Sequence, residues 1–223
     1  MFIVKLSYNN VPITSISLNQ KITVIAKFDS KIDMSSGPET CLLQVAKDPT
    51  NNHVIDISGN SGYDASVLSW ENNATYGDYL IFNGQKIQIT NTNGTNDSRT
   101  VLMFVNHTDT DQEMLLGFYK YNFGYDNNNR FAYDSYAATY SSNYTITKNT
   151  WYHVGAIMTG TGNMDGNNLY INGVDYPSFS WTYGSGNGNA VFQDYIILGG
   201  WMYDTNWEFH GYESQIYYFD REL

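Results

Sequence analysis

The sequence is short of cysteine, proline and charge, and each shortage removes a class of protein. There is one cysteine, Cys41, in 223 residues. It has no partner within the chain, so a disulfide-stapled scaffold is excluded, while the redox compartment stays open because a domain of this size folds without staples. Four prolines are too few for a stiff stalk or linker. No run approaches the ~18 apolar residues of a membrane helix. The opening "MFIVKLSYNN" has no charged segment followed by an apolar stretch, so it does not read as a secretory leader. A soluble chain with no membrane span is expected, its compartment unknown. If it reaches a virion or cell surface, assembly takes it there. Lys and Arg total 11 against 22 Asp and Glu, a net charge of −11. With no basic cluster, that balance repels phosphate backbones and anionic lipid, and argues against nucleic acid as a partner.

What the chain has instead is aromatic and amide side chains, with 20 Tyr, 11 Phe and 5 Trp. Flat rings suit a pleated, half-buried surface better than a helix. Period-two alternation recurs along the whole length and helical periodicity is scarce. "KITVIAKF", "RTVLMFVN", "EMLLGFY", "YIILGGW" and "ESQIYYFDREL" all read as strands. "TWYHVGAIM" places Tyr152, Val154, Ala156 and Met158 on one side and Trp151, His153 and Ile157 on the other. "YLIFNGQKIQI" reads as two short strands about Asn83-Gly84. "NLYINGVDY" reads as a hairpin, because Asn-Gly accepts the two positive φ angles of a type I′ turn. Many short strands joined by Gly/Asn turns predict a β-sandwich or barrel. Two polar stretches, "GYDNNNRFAYDSYAATYSSN" and "SFSWTYGSGNGNAVFQD", exceed minimal hairpin loops, and loops of that length often carry function.

Five elements in order resemble the laminin-G-like domains of the concanavalin A-like lectin/glucanase superfamily. These are "VIDISGNSGYDASV", "GDYLIFNGQKIQI" (similar to the family's L-x-F-N-G…I-x-I hairpin), "SRTVLMFVN", "TWYHVGAIM…NNLYINGVDY" and "ILGG…FHGYESQIYYFDREL". The resemblance implies an all-β, two-sheet antiparallel jelly-roll sandwich over residues 54–223. Residues 1–50 lie outside it and read as a β-rich extension or arm. Members of the superfamily bind glycans, mediate adhesion, hydrolyse glycosides or serve as structural units, so the fold leaves function open.

Glycoside hydrolysis needs two carboxylates flanking the scissile bond. The superfamily's glucanases resemble E-x-D-x-x-E there, and none of Glu39, Glu71, Glu113, Glu208, Glu213 or Glu222 begins that pattern. No catalysis is therefore expected. Asp109, Asp111 and Glu113 alternate and read as a solvated loop or an adventitious cation site. Many relatives carry calcium, which makes a structural calcium a candidate cofactor. Asp56, Asp165 and Asn167 are the weak ligand candidates, although Asp and Asn populate turns for conformational reasons alone. An EF-type loop from Asp109 fails, because its sixth position is Met114 rather than Gly. His53, His107, His153 and His210 show no HxH or HExxH spacing, so no zinc motif is present. His153 and Trp151 are expected in the core. "GTGNMDG" and "GSGNGN" lack the lysine and the strand–helix context of a phosphate loop. Five N-x-S/T sequons, at Asn73, Asn93, Asn96, Asn106 and Asn143, are no excess over the about four expected by chance in so Asn-rich a chain.

Sugar recognition needs aromatic faces for C–H surfaces and amide or carboxylate groups for hydroxyls. Both recur late in the chain, at Trp181, Tyr183, Asn187 and Asn189, then at Trp201, Tyr203, Asp204, Asn206 and Trp207. Two functions are expected to compete. One is a non-catalytic glycan-binding or adhesion module whose partner is a glycan or glycoprotein surface. The other is a structural protein that packs against neighbouring subunits, such as a virion surface, capsid-associated or tail component. A glycoside hydrolase is the third and weakest reading.

Overall fold

The computed structural model describes residues 7–8, 11–12, 41–48, 53–56, 64–65, 69–90, 98–109, 111–118, 120–135, 138–159, 164–184, 192–193, 195–201 and 206–223. The chain divides into two compact units, Met1–Gly37 and Pro38–Leu223. In the first, β1 (Ser7–Tyr8) pairs antiparallel with β2 (Val11–Pro12). The remaining elements all belong to the second.

That second unit is two antiparallel sheets, and among the described residues no helix is long and apolar enough to cross a membrane. The larger sheet contains β3 (Cys41–Lys47), β4 (Val54–Asp56), β5 (Asp64–Ala65), β6 (Ser69–Asn73), β7 (Gly77–Asn83), β9 (Ser98–His107), β14 (Trp151–Thr159), β15 (Asn168–Ile171), β16 (Val174–Asp175) and β19 (His210–Phe219). The smaller sheet contains β8 (Ile87–Thr90), β10 (Glu113–Gly117), β11 (Asn122–Tyr125), β12 (Arg130–Asp134), β13 (Thr139–Thr145), β17 (Phe179–Tyr183) and β18 (Tyr195–Leu198). This is the two-sheet antiparallel sandwich that the family resemblance implies, and one of the two architectures that the strand pattern allows. Its boundary lies earlier than residue 54, because β3 pairs with β19 inside the larger sheet.

Alternation decides what goes inward. Val101, Met103 and Val105 of β9, Tyr152, Val154, Ala156 and Met158 of β14, and Leu169 and Ile171 of β15 are all buried. The smaller sheet answers with a layer of rings. Phe123 stacks on Phe131 with centroids 5.7 Å apart, and Tyr133 sits 5.1 Å from Phe123. Tyr133 buries its hydroxyl by donating to the Asn168 carbonyl at 2.6 Å. Each such ring contributes both area burial and quadrupole contacts.

The same alternation corrects two expectations. Trp151 and His153 share the opposite parity from Tyr152 and Val154, so they face outward and are half-buried rather than core. Trp151 stacks on Tyr76 at 4.6 Å and meets the edges of Tyr79 and the ring of Tyr212; His153 packs on Phe104 at 4.8 Å. Strand parity outweighs ring size. Partial burial pushes the His153 imidazole below its ordinary pKa.

The two Asn-Gly pairs read as hairpin turns also diverge. Asn172 and Gly173 have φ of 52° and 80°, the type I′ pattern, and join β15 to β16 as a hairpin. At Asn83-Gly84 only Gly84 is left-handed, with φ 77°, and β7 does not pair with β8. Instead of a hairpin, this corner carries the chain from the larger sheet to the smaller one. Gly199 (φ 77°) packs against the end of β7; a Cβ there would collide with the Phe82 ring.

One buried group opposes the fold. Glu213 on β19 lies opposite Leu80 and Val105 and is fully buried, with no hydrogen-bond partner for either carboxylate oxygen. Burial pushes its carboxyl well above the usual carboxylate range, so it folds protonated. The unfolded chain ionises it near pH ~4.3. Stability is therefore full below that pH and falls as pH rises toward the folded value. Glu213→Gln is expected to flatten this slope, with unfolding free energies that match the parent near pH ~4 and exceed it at neutral pH, as measured by urea titrations across the pH range.

Candidate functional site

A cleft of about 420 Å³ is lined by Gln112, Asp126, Asn127, Asn128, Asp134, Thr139, Thr182, Tyr183 and Trp207. Its floor is set by the β11–β12 turn. Asp126 Oδ1 accepts from the backbone N–H of Asn128 (2.9 Å) and of Arg130 (3.0 Å), an Asx-type closure. Asp126 Oδ2 accepts from Arg130 Nε (2.9 Å) and Nη2 (2.6 Å). Asn129, at φ 55°, takes the left-handed position that asparagine tolerates. The turn is thereby locked, and Asn127 and Asn128 stand exposed at its tip. Asp134 Oδ2 accepts from Thr139 Oγ1 at 2.7 Å, joining the far ends of β12 and β13.

The walls are aromatic. Tyr183 ends β17 and is 67% exposed. Trp207 is half-buried and stacks on the buried Trp201, with centroids 5.2 Å apart. The Trp207 carbonyl accepts from Met114 N–H (3.1 Å), and Lys86 Nζ donates to the Trp201 carbonyl (3.0 Å) while pairing with Glu208 at 3.3 Å. The backbones of both stacked tryptophans are thus anchored.

Of the sugar-contact candidates, Tyr183 and Trp207 line this cleft and Trp201 backs it from the interior. Trp181 packs on Tyr140 at 4.7 Å, against the core. Asn206 is exposed. Asn187, Tyr203 and Asp204 lie outside the described residues, as does the Asp56 side chain. Of the calcium candidates, Asp165 is exposed in the short 3-10 turn Met164–Gly166. The Asn167 oxygen accepts from the Tyr121 hydroxyl, from Thr159 N–H (2.9 Å) and from Thr159 Oγ1 (3.1 Å). Its carboxamide ties three elements together. Most of "GYDNNNRFAYDSYAATYSSN" turns out to be strand, in β11, β12 and β13. The cleft therefore draws on the tight turn between β11 and β12, which the spacing of the sequence does not isolate.

A second cluster takes Asp109 and Glu113 from the alternating acidic run and adds histidines that sequence spacing does not connect to it. Glu113 is buried at the start of β10, not solvated with Asp111. Its Oε1 faces His210 Nδ1 at 2.8 Å and its Oε2 faces His107 Nδ1 at 3.7 Å. Ligand atoms of Asp109, Glu113 and His210 all lie within 4.8 Å of one another. Tyr125 lies against His107, ring to ring at 4.5 Å. Its hydroxyl pKa is pushed up by burial first, and then by the negative charge that Glu213 and Glu113 carry once ionised.

Residues 82–223 match the Laminin_G_3 profile of the concanavalin A-like lectin/glucanases superfamily. The chain belongs to that superfamily. No curated protein sequence matches it significantly. Solved structures share the superfamily sandwich. Domain 4 of AbnA, a GH43 extracellular arabinanase from Geobacillus stearothermophilus, solved in complex with arabinotriose, aligns over 83% of this chain and 94% of its own, at 18% identity and a TM-score of 0.57. The binding domain of botulinum neurotoxin DC, solved with rat synaptotagmin II, aligns over 82% of this chain and 49% of its own (15% identity, TM-score 0.54). Trypanosoma rangeli sialidase, solved with 2,3-difluorosialic acid, aligns over 81% of this chain and 30% of its own (15% identity, TM-score 0.55). At these identities the likeness is one of fold, and this concanavalin A-like chain spans less than half of the neurotoxin domain and of the sialidase.

In this superfamily member the cleft depends on the Asp126–Arg130 pair, whose side chains are largely buried. Asp126→Ala leaves a guanidinium and two backbone N–H groups without their acceptor. It is expected to cost on the order of 3 kcal/mol, read as a lower midpoint in chemical denaturation with the strand spectrum retained.

Proposed function

We propose that this chain is a non-catalytic glycan-binding module that holds a short, uncharged oligosaccharide in the cleft between Trp207 and Tyr183. The cleft carries the reading, because it unites two aromatic walls with a rim of amides, hydroxyls and carboxylates in one concavity. Its volume falls within the about 300–1,000 Å³ of small-molecule sites. Sugar C–H faces pack on rings, while Gln112, Asn127 and Asn128 offer donors and acceptors to hydroxyls. The chain's net charge of −11, with Asp126 and Asp134 in the lining, disfavours sulfated or sialylated ligands. Absence of catalysis is supported by Asp126, whose oxygens already accept four hydrogen bonds, so it is poorly placed to exchange protons with a substrate. The arabinotriose in the arabinanase domain is in keeping with oligosaccharide recognition on this fold.

A second reading, assembly with neighbouring protein subunits such as those of a virion surface, capsid or tail, draws on the outer face of the larger sheet. There Tyr76, Tyr79, Trp151 and Tyr212 form a half-buried aromatic row. Sizing at high protein concentration discriminates, since a strict monomer counts against assembly with further copies of this chain.

A panel of neutral and acidic oligosaccharides, followed by calorimetry, tests the glycan reading. Trp207→Ala and Tyr183→Ala are each expected to weaken binding at least tenfold, about 1.4 kcal/mol, without lowering the melting temperature of the Tyr183 variant. A panel with no ligand overturns the reading, and turnover of any polysaccharide overturns its non-catalytic half.

A further inference from the structure

We propose that Asp109, Glu113, His107 and His210 form a divalent transition-metal site of the zinc type. Three of the four already converge, with ligand atoms of Asp109, Glu113 and His210 within 4.8 Å of one another. His107 adds the independent observation. Its side chain is 1% exposed, and its Nε2 lies 3.3 Å from Asn129 Oδ1. A carbonyl oxygen only accepts, so Nε2 carries a proton, and in the neutral form of the ring Nδ1 is a bare lone pair. Nδ1 lies 3.7 Å from Glu113 Oε2, and both atoms are buried without a hydrogen-bond partner.

Two electron-rich atoms facing each other in the interior repel unless something positive lies between them. A proton fills the role badly, because 3.7 Å is too long for a hydrogen bond. A metal ion fills it well. Ligands at about 2.0–2.2 Å from a common ion are separated by such a distance at a wide tetrahedral-like angle. The remaining geometry agrees. Glu113 Oε1 accepts a hydrogen bond from His210 Nδ1 at 2.8 Å, and an ion taking that nitrogen displaces its proton to solvent, so a single carboxylate meets an imidazole on each side. The Asn129 contact to the far nitrogen of His107 is the outer-shell partner that fixes a ligating ring. His107, Glu113 and His210 are each carried at the end of a strand, β9, β10 and β19. Two imidazoles and two carboxylates select zinc-like ions, whereas calcium takes oxygen ligands only.

The experiment uses the untagged full chain, stripped with chelator and dialysed. It is titrated calorimetrically with ZnCl₂, CoCl₂ and CaCl₂, and the cobalt form is read by visible absorption. One equivalent of Zn²⁺ is expected to bind and raise the melting temperature. Co²⁺ should show the visible bands of a low-coordinate nitrogen–oxygen site, and Ca²⁺ should displace neither. Glu113→Gln and His210→Ala should each weaken zinc at least tenfold, while Asp111→Asn, exposed and outside the set, should leave it unchanged. His210 is the most exposed of the Glu113–imidazole contacts, so its variant carries the test if Glu113→Gln fails to fold. Absence of saturable zinc binding, zinc binding untouched by His210→Ala, or displacement of zinc by calcium overturns the proposal.

Discussion

The sandwich depends above all on the two-sided pairing of β9. Along one edge it runs in unbroken register with β14, from Trp151 opposite Asn106 to Thr159 opposite Ser98. Along the other it pairs with β19, with a shift between Ser214 and Tyr217 where Gln215 adopts a left-handed φ of 50°. That irregularity is a bulge, the standard device for bending a strand within a curved sheet. The alternation along β9 continues to its last residue. Val101, Met103 and Val105 face the core, and the next residue of that parity is His107, so the strand delivers an imidazole into the interior where an aliphatic side chain is the rule.

The cleft and the Glu113 cluster share a mode of support. In both, the working side chains sit at strand ends or in a hydrogen-bonded turn, with their backbones committed to ladders or caps. Met114 N–H donates to the Trp207 carbonyl, Thr108 N–H to the His210 carbonyl, and Asn149 N–H to the His107 carbonyl. Few torsions are left to order at either place, and such pre-ordering lowers the entropic cost of any binding there.

Much of this architecture was legible from strand periodicity and turn chemistry. The inward rows of β14 and β15 follow from period-two alternation, and the Asn172–Gly173 hairpin from two tolerated positive φ angles. What escaped did so for physical reasons. Trp151 has the ring of a core residue but the parity of a surface one. The Asn83–Gly84 pair has the dipeptide of a hairpin, yet its flanking strands find better partners in opposite sheets. Tyr183 and Trp207 could be nominated by type, whereas Trp181 could not be told from them, because only cross-strand contact with Tyr140 consigns it to packing. His107 and Glu113 are close in sequence but on strands of opposite sheets, and His210 is 97 residues beyond Glu113; pairing of β9 with β19 joins the two histidine strands, and the face-to-face packing of the sheets adds Glu113.

The position of β19 has a bearing on how the protein is made. This strand lies between β9, β3 and β7, and so pairs with segments more than a hundred residues upstream. As the chain leaves the ribosome, those earlier strands wait with an open seam and greasy inner rows uncovered. Closure comes only once residues 210–219 have emerged. Slow, aggregation-exposed maturation is the usual accompaniment of such long-range strand pairing, and it is in such intervals that chaperones act.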